Sequence, residues 1–310
     1  MVHVHDDEFE GGYSCRAFAA LQAGALVLLS CLTFAAPAVA QSADAARCFQ
    51  IFDATAYRSK PDLGEYGIEA ARMVYGIHQL WDSRKEPEWL AQLPSQFAVQ
   101  RAIKRLPLTG TPTPLIILDV EHWPNVGSDI EVSASVDKYV TLATWVKANA
   151  GAGVVGFYGI PPHRDYWRAI KDPSTPEYRQ WQAENDRFLR VADVVDVFAP
   201  SLYTFYDDVD GWKRYAVANV SEARRLAQGK PVYPFIWPQY HNSNRKLDSQ
   251  YLSAEYWLMQ LQTLESHADG VVIWAGGPGP WQADAEWWKA TRAFIESSHK
   301  VCRPESKAQR

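Results

Sequence analysis

The chain has 310 residues, of which 47% are hydrophobic and 22% are charged. This composition indicates a folded protein with a sizeable core and excludes a chain that is disordered over most of its length. The formal net charge is −5, so no basic surplus points to a nucleic-acid partner.

The first 40 residues have the composition of a secretion signal. An apolar stretch rich in Ala and Leu covers residues 17–38 and runs into Ala38-Val39-Ala40, which matches the small-residue pattern of a signal-peptide cleavage site. The apolar core of this stretch is too short and too rich in Ala to favour a retained membrane span. We therefore expect cleavage after Ala40 and a secreted or periplasmic protein, although the acidic residues before the stretch are unusual for a signal. The alternative is a lipoprotein anchored at Cys31.

The remaining residues, 41–310, are expected to form one domain, because no linker or low-complexity segment divides them. Two of the four cysteines fall in this part, Cys48 near its start and Cys302 near its end. Exported proteins meet oxidising conditions, so a disulfide between these two is expected to join the ends of the domain. The alternative is a pair of unrelated buried thiols.

Seven short apolar runs predict the strands: Phe49–Ala54, Met73–Ile77, Leu115–Asp119, Val154–Tyr158, Val194–Ala199, Val232–Ile236 and Gly270–Trp274. Most are continuously apolar, which is typical of parallel strands covered on both faces. Amphipathic stretches predict helices over 132–148, from Thr175 to about Ala192, over 211–228, from Ser253, and over 284–297. Strands that alternate with helices predict an α/β fold, and seven such units with joined ends favour a closed (β/α) barrel over an open sheet.

The C-terminal ends of the strands form the active-site face of such a barrel. These ends carry Asp53, Tyr75, His78, Asp119, Glu121, Tyr158, Tyr203, Tyr240 and Trp274. Asp119 and Glu121 are two positions apart, so on a strand their side chains point to the same face. Two neighbouring carboxyl groups separate their pKa values, so one can stay protonated while the other stays charged. With the Tyr and Trp side chains, which can cover sugar rings, they predict a carbohydrate site.

Five segments resemble motifs of the hyaluronidase family of glycoside hydrolases, in the order and spacing found in that family. Ile117–Trp123 resembles the catalytic Asp-x-Glu-x-Trp strand, and Gly156–Pro161 resembles the Gly-Phe-Tyr-x-x-Pro strand. The later matches are Pro200–Tyr203, Pro231–Phe235 running on to Tyr240, and Gly270–Trp274. Cys48 and Cys302 also lie where the family joins its barrel ends. The resemblance covers about residues 48–302 and implies a distorted TIM-like barrel of seven parallel strands.

The resemblance also implies a reaction, the retaining and substrate-assisted hydrolysis of a 2-acetamido-sugar polysaccharide such as hyaluronan or chondroitin. Glu121 would be the general acid and later the general base, while Asp119 would orient the acetamido group whose oxygen attacks C1. The residues implied in the acetamido pocket and its neighbouring wall are Tyr203, Tyr240, Trp274 and Tyr158. We add Tyr75, from its own strand end, to the predicted substrate-binding set. No cofactor is implied.

Several alternatives remain open from the sequence. Pro124 and Asn125 follow the motif of the third strand where the family often has Arg-Pro, and Pro162-His163-Arg164 stands where a Cys is common. These departures fall in groove loops, so the substrate could instead be a bacterial exopolysaccharide or a cell-wall glycan. A non-catalytic carbohydrate-binding barrel is a further alternative.

Asp119 and Glu121 could also be a solvated strand end paired with Arg164. The spacing of the His residues predicts no metal site.

Overall fold

A computed structural model of the chain describes residues 48–81, 91–108, 113–277 and 279–303. The predicted signal, its cleavage site at Ala40 and the alternative lipid anchor at Cys31 lie outside the described residues. In the described ranges, none of the helices combines the length and the hydropathy needed to cross a bilayer.

The strands form two parallel arrays that belong to one barrel. They are β1 (Gln50–Thr55), β2 (Ile68–Ala70), β3 (Arg72–Tyr75), β4 (Leu115–Asp119), β5 (Val154–Phe157), β6 (Phe235–Ile236) and β7 (Gly270–Ala275). The first array has the order β2-β1-β7-β6 and the second has the order β3-β4-β5. Only Ala71 separates β2 from β3, and its N–H donates to the carbonyl of Asp53 at 2.9 Å. The two therefore act as a single strand that links the arrays.

The barrel closes through an irregular extended segment, residues 196–201, which lies between β5 and β6. Single parallel pairs join Tyr158 to Ala199 and Phe198 to Val232. The Gly159 N–H also donates to the Ala199 carbonyl at 2.8 Å. Seven parallel strand positions thus surround one axis, which confirms the predicted α/β barrel and its distortion.

Two predicted strands differ from the structure near this closure. The run Val194–Ala199 begins too early, because Val194 is the last residue of a helix and backbone pairing with β5 begins at Asp196, whose N–H donates to the Val155 carbonyl at 2.8 Å. The predicted strand Val232–Ile236 is shorter in the structure, where only β6 forms regular strand, because Pro234 has no backbone N–H to donate to a neighbouring strand. The second predicted strand also ends early, at Tyr75, and Ile77 is exposed on a helical turn.

The helices cover the outside of the barrel. They are α1 (Gly76–Gln79), α2 (Gln96–Lys104), α3 (Asp129–Lys147), α4 (Pro176–Asp186), α5 (Leu189–Val194), α6 (Val209–Ala227), α7 (Ala254–His267) and α8 (Glu286–Ser297). Thr175 and Ser253 cap α4 and α7 as the sequence predicts. A capping box between Ser128 and Glu131 starts α3 three residues before the predicted helix. The helix predicted from Thr175 to Ala192 is instead two helices, broken at residues 187–188.

The core has an inner layer inside the barrel and an outer layer between the strands and the helices. Along β4, Leu115 and Ile117 belong to the inner layer, whereas Ile116 and Leu118 belong to the outer one. Because side chains alternate along a strand, Asp119 continues the inner series. The sequence of β4 therefore places a carboxyl group at the mouth of the barrel axis.

A disulfide joins Cys48 to Cys302, with 4.9 Å between the two Cα atoms. The backbones beside it are also paired, because the Phe49 N–H donates to the Lys300 carbonyl at 2.7 Å and the Cys302 N–H to the Phe49 carbonyl at 2.9 Å. The predicted link between the ends of the domain is confirmed.

Candidate active site

The site begins where β4 leaves the barrel. Val120, between the two acids, is buried, and its carbonyl accepts the hydroxyl of Tyr139 at 3.0 Å. Gly76 allows the neighbouring turn to approach, since a Cβ there would lie 2.9 Å from the Asp119 carbonyl oxygen. These contacts fix the strand end and direct the side chains of Asp119 and Glu121 into the same cavity.

The two carboxyl groups interact closely enough to shift the pKa of Asp119. Burial, the charge of Glu121 and the hydrogen bond between the two groups raise the pKa of Asp119 to about 7. Carboxyl groups this close cannot both ionise at low cost, so the pair holds one shared proton below that pH. A proton available for transfer thus lies at the C-terminal end of the barrel.

An aromatic wall faces this pair. The Tyr203 ring stacks on Trp274 with centroids 5.5 Å apart and 25° between the planes. Trp237 closes the corner, with its centroid 5.1 Å from that of Trp274 at 80°. The Trp274 indole N–H in turn donates to the Tyr75 hydroxyl at 3.3 Å. Such a corner can hold the apolar face of a sugar and a small substituent beside it.

Hydroxyl groups line the same cavity and remain neutral. Tyr158 and Ser201 share a hydrogen bond of 2.9 Å between their hydroxyl oxygens. Burial raises the pKa of Tyr158 to about 12 and holds that of Tyr203 well above its ordinary range. Both phenols can therefore donate hydrogen bonds to a ligand at any physiological pH.

The cavity in front of the pair has an empty volume of about 620 Å³ and is open to solvent. Its lining consists of Met73, Asp119, Glu121, Tyr158, Arg164, Tyr203, Phe235, Trp237, His241, Asn242 and Trp274. We call it the aromatic pocket. A second cavity of about 770 Å³ adjoins it and is lined by Val120, Glu121, Asn125, Tyr158, Gly159, Ile160, His163 and Arg164. We call this one the outer pocket, and Glu121 lies at the junction of the two.

The structure brings most of the predicted site residues together. Asp119, Glu121, Tyr158, Tyr203 and Trp274 line the aromatic pocket. Tyr75 stands behind this lining and contacts Trp274. The two carboxyl groups and the Tyr203 and Trp274 part of the aromatic wall thus come from residues that the sequence singles out.

Tyr240 is a different case, because the structure does not bring it to the aromatic pocket. Its hydroxyl donates to Asp207 at 2.6 Å, and its backbone N–H donates to the Gln250 carbonyl at 2.9 Å. After Trp237 the chain turns towards residues 249–252, which carries Tyr240 away from the axis.

Trp237, His241 and Asn242 line the aromatic pocket without having been predicted from the sequence. The sequence feature that could have identified Trp237 is its position directly after the strand β6. Burial and the charge of Arg164 lower the pKa of His241. Its Nδ1 accepts the Ser243 N–H at 3.1 Å, so the neutral ring carries its hydrogen on Nε2.

Arg164 is not the partner of the two acids. In the described part of the chain it makes no ion pair; its guanidinium donates to the Ser201 hydroxyl at 3.2 Å and lies 4.8 Å from the Phe205 ring centroid. The pairing with Arg164 in the alternative of a solvated strand end is therefore wrong, whereas Glu121 itself is exposed to solvent. Asp53, at another strand end, is bound by Lys60 and Thr55 and does not line either pocket. Across the described residues, no group of three or more His, Cys, Asp or Glu is arranged to hold a metal ion.

Comparison with known proteins identifies the fold. Bee venom hyaluronidase matches 80% of this chain and 96% of its own in a monoclinic crystal form, with a TM-score of 0.54 and 16% identity. Its complex with a hyaluronic acid tetramer gives a TM-score of 0.55 at 16% identity, over 80% of this chain and 95% of that one. A curdlan-specific exo-beta-1,3-glucanase from Blastomyces gilchristii is less similar, with a TM-score of 0.39 at 17% identity, over 79% of this chain and 89% of that one.

No protein-family model matches the chain, and no curated protein matches it. The similarity to bee venom hyaluronidase, at 16% identity, is one of fold. It establishes that this chain has the distorted TIM-like barrel predicted from its strands.

Proposed function

We propose that this chain is an exported glycoside hydrolase that cleaves a 2-acetamido-sugar polysaccharide internally, with residues 1–40 as its signal and 41–310 as its catalytic domain. The observation that carries the proposal is that Asp119 and Glu121 share one cavity at the C-terminal end of the barrel, with Glu121 also lining the adjoining one. The fold shared with bee venom hyaluronidase supports it.

Glu121 is the group best placed to protonate the leaving oxygen. It lines both pockets, whereas Asp119 lines only the aromatic one. If one sugar occupied each pocket, the glycosidic bond that joins them would therefore lie beside Glu121. Its proton passes to the glycosidic oxygen as the C1–O bond breaks, and the carboxylate later accepts a proton from the attacking water.

The nucleophile in this proposal is the oxygen of the substrate's own acetamido group. Glycosidases that use two carboxyl groups on opposite sides of the bond need about 5 Å or more between them. Asp119 and Glu121 instead come from one strand end and face the same cavity, which does not suit that arrangement. In this proposal Asp119 accepts the acetamido N–H while the acetamido oxygen bonds to C1, and water then opens this ring with retention of configuration.

The corner formed by Tyr203, Trp274 and Trp237 is the proposed acetamido pocket. Its stacked rings can enclose the methyl group, while Tyr158 and Tyr203 offer neutral hydroxyls to the sugar. In this assignment Trp237 takes the place that the family resemblance gave to Tyr240.

Arg164 supports an acidic polymer as substrate. Its charge has no acidic partner among the described residues, and it lines both pockets beside Glu121. A uronate carboxylate in either pocket would complete a charge-assisted pair. Hyaluronan and chondroitin satisfy this requirement. Because Arg164 lies in a loop that departs from the family pattern, a different acidic exopolysaccharide or cell-wall glycan is the second candidate.

Reducing-end assays on purified glycans test the proposal. Hyaluronan, chondroitin, peptidoglycan and de-N-acetylated hyaluronan would be incubated with the protein without its signal. We expect new reducing ends from at least one acetamido-bearing polymer and none from the de-N-acetylated one. Rapid cleavage of the de-N-acetylated polymer would exclude the substrate-assisted mechanism. Tight binding with no cleavage between pH 3 and 8 would instead identify a non-catalytic carbohydrate-binding barrel.

A further inference from the structure

Three aromatic side chains form a cluster beside the outer pocket: Tyr166, Trp167 and Tyr206. Trp167 is 59% exposed and Tyr206 is 43% exposed. Their ring centroids are 5.6 Å apart, and the Tyr166 ring lies 4.9 Å from the first and 5.0 Å from the second. We call Trp167 and Tyr206, with Tyr166 packed against both, the aromatic platform. Large aromatic surface left open to water in this way is costly and indicates a binding role.

The aromatic platform belongs to the same face of the barrel as the candidate active site. Trp167 lies in the loop after β5, three residues beyond Arg164. Tyr206 directly follows Phe205, whose ring packs against the Arg164 guanidinium. Because Arg164 lines both pockets, the platform continues the groove beyond the wall that this arginine forms.

A polar network holds the aromatic platform in its exposed position. The Asp165 carboxylate accepts the backbone N–H of Trp167 at 2.8 Å and the guanidinium of Arg168 at 2.6 Å. Arg168 also makes a two-pronged pair with Glu184, at 2.9 and 2.7 Å. Asn219 on α6 exchanges hydrogen bonds with the Asp165 backbone, at 3.2 and 3.1 Å. The loop is thereby ordered before any ligand arrives, which lowers the entropic cost of binding.

We propose that the aromatic platform is a further sugar-binding subsite, which holds one pyranose ring of the polysaccharide outside the two pockets. This inference rests on the proposed function, because the ligand is the same polymer. The apolar C–H face of a sugar can lie on the Trp167 indole, with the Tyr206 hydroxyl at its edge. The 52° angle between these two rings makes a shallow notch, which suits a single ring. The subsite would hold a long polysaccharide in place while Asp119 and Glu121 cleave it.

The test compares a long polymer with a disaccharide of the same glycan in Trp167→Ala and Tyr206→Ala. Loss of one ring contact should raise KM for the polymer about fivefold. We expect kcat for the polymer and both constants for the disaccharide to stay unchanged, because the two rings of the disaccharide occupy only the two pockets. Trp167→Phe should recover part of the loss. Phe97→Ala is the matched control, since Phe97 is an aromatic residue that is 71% exposed on α2 and lines neither pocket.

The outcomes separate this inference from the proposed function. If the wild-type protein cleaves the polymer and Trp167→Ala leaves KM unchanged, the platform is refuted and the hydrolase stands. An equal rise in KM for polymer and disaccharide also refutes it. Polymer binding would be followed in parallel by tryptophan fluorescence. If the protein binds without cleavage, weaker binding by Trp167→Ala supports the platform and unchanged binding refutes it. If it neither binds nor cleaves any polymer, both proposals fail.

Discussion

The raised pKa of Asp119 predicts how the stability of the folded protein depends on pH, which can be measured without a substrate. The pKa of Asp119 rises from 3.8 to about 7 on folding, and a tenfold change in proton affinity is worth about 1.36 kcal/mol. Between these pH values the unfolded chain releases a proton that the folded chain keeps, so the folded state loses stability as pH rises. The full difference would be about 4 kcal/mol, and contact of the pair with solvent in the open pocket reduces it to roughly 2 kcal/mol.

Asp119→Asn removes this ionisation and keeps a side chain that can donate to Glu121. The free energy of unfolding of the variant relative to the wild type should therefore rise by roughly 2 kcal/mol between pH 4.5 and pH 8. Urea unfolding at the two pH values measures this change, and the contributions of ionisable groups common to both proteins cancel in the difference. Asp137→Asn, at an exposed position on α3, is the control and should show no such difference. If Asp119→Asn and the wild type change in parallel, the two carboxyl groups do not share a proton.

Three further predictions follow from the site and the fold. The value of kcat/KM should fall as pH rises through about 7, because the raised pKa of Asp119 marks the loss of the shared proton; a rate that stays flat to pH 9 would contradict this. Cys48→Ser with Cys302→Ser should lower the free energy of unfolding by up to about 5 kcal/mol, because the bond closes a loop across 254 residues of sequence separation; urea unfolding checks it, and equal midpoints would show that strand pairing alone holds the ends. Arg164→Gln should raise KM for an acidic polymer about tenfold through loss of a charge-assisted hydrogen bond, while a neutral glycan with the same linkage, if it is cleaved, should show no change in KM.

The sequence predicts the centre of the site well, because its position follows from strand alternation. In β4 the apolar residues establish a buried strand, and the two-residue spacing then assigns Asp119 and Glu121 to one face of its end without any long-range information. The disulfide is predictable for a similar reason, since an exported chain with one cysteine near each end of its domain has few pairing choices.

The loops could not be predicted in the same way. Tyr240 has the right residue type and spacing, but contacts with residues 249–252 turn it away from the axis. The exposure of Trp167 depends on a network that reaches Glu184 and Asn219, which are remote in sequence. Local pattern cannot show such contacts, because each depends on where separate elements meet in the barrel.

Glu121→Gln gives the most direct test of the central claim, that the carboxyl pair at the end of β4 performs hydrolysis. Turnover would be measured on whichever polysaccharide the wild-type protein cleaves, and circular dichroism would confirm that the variant is folded. Loss of a general acid predicts a fall in kcat of at least about a hundredfold. A folded variant that retains the wild-type rate would show that the chemistry occurs elsewhere.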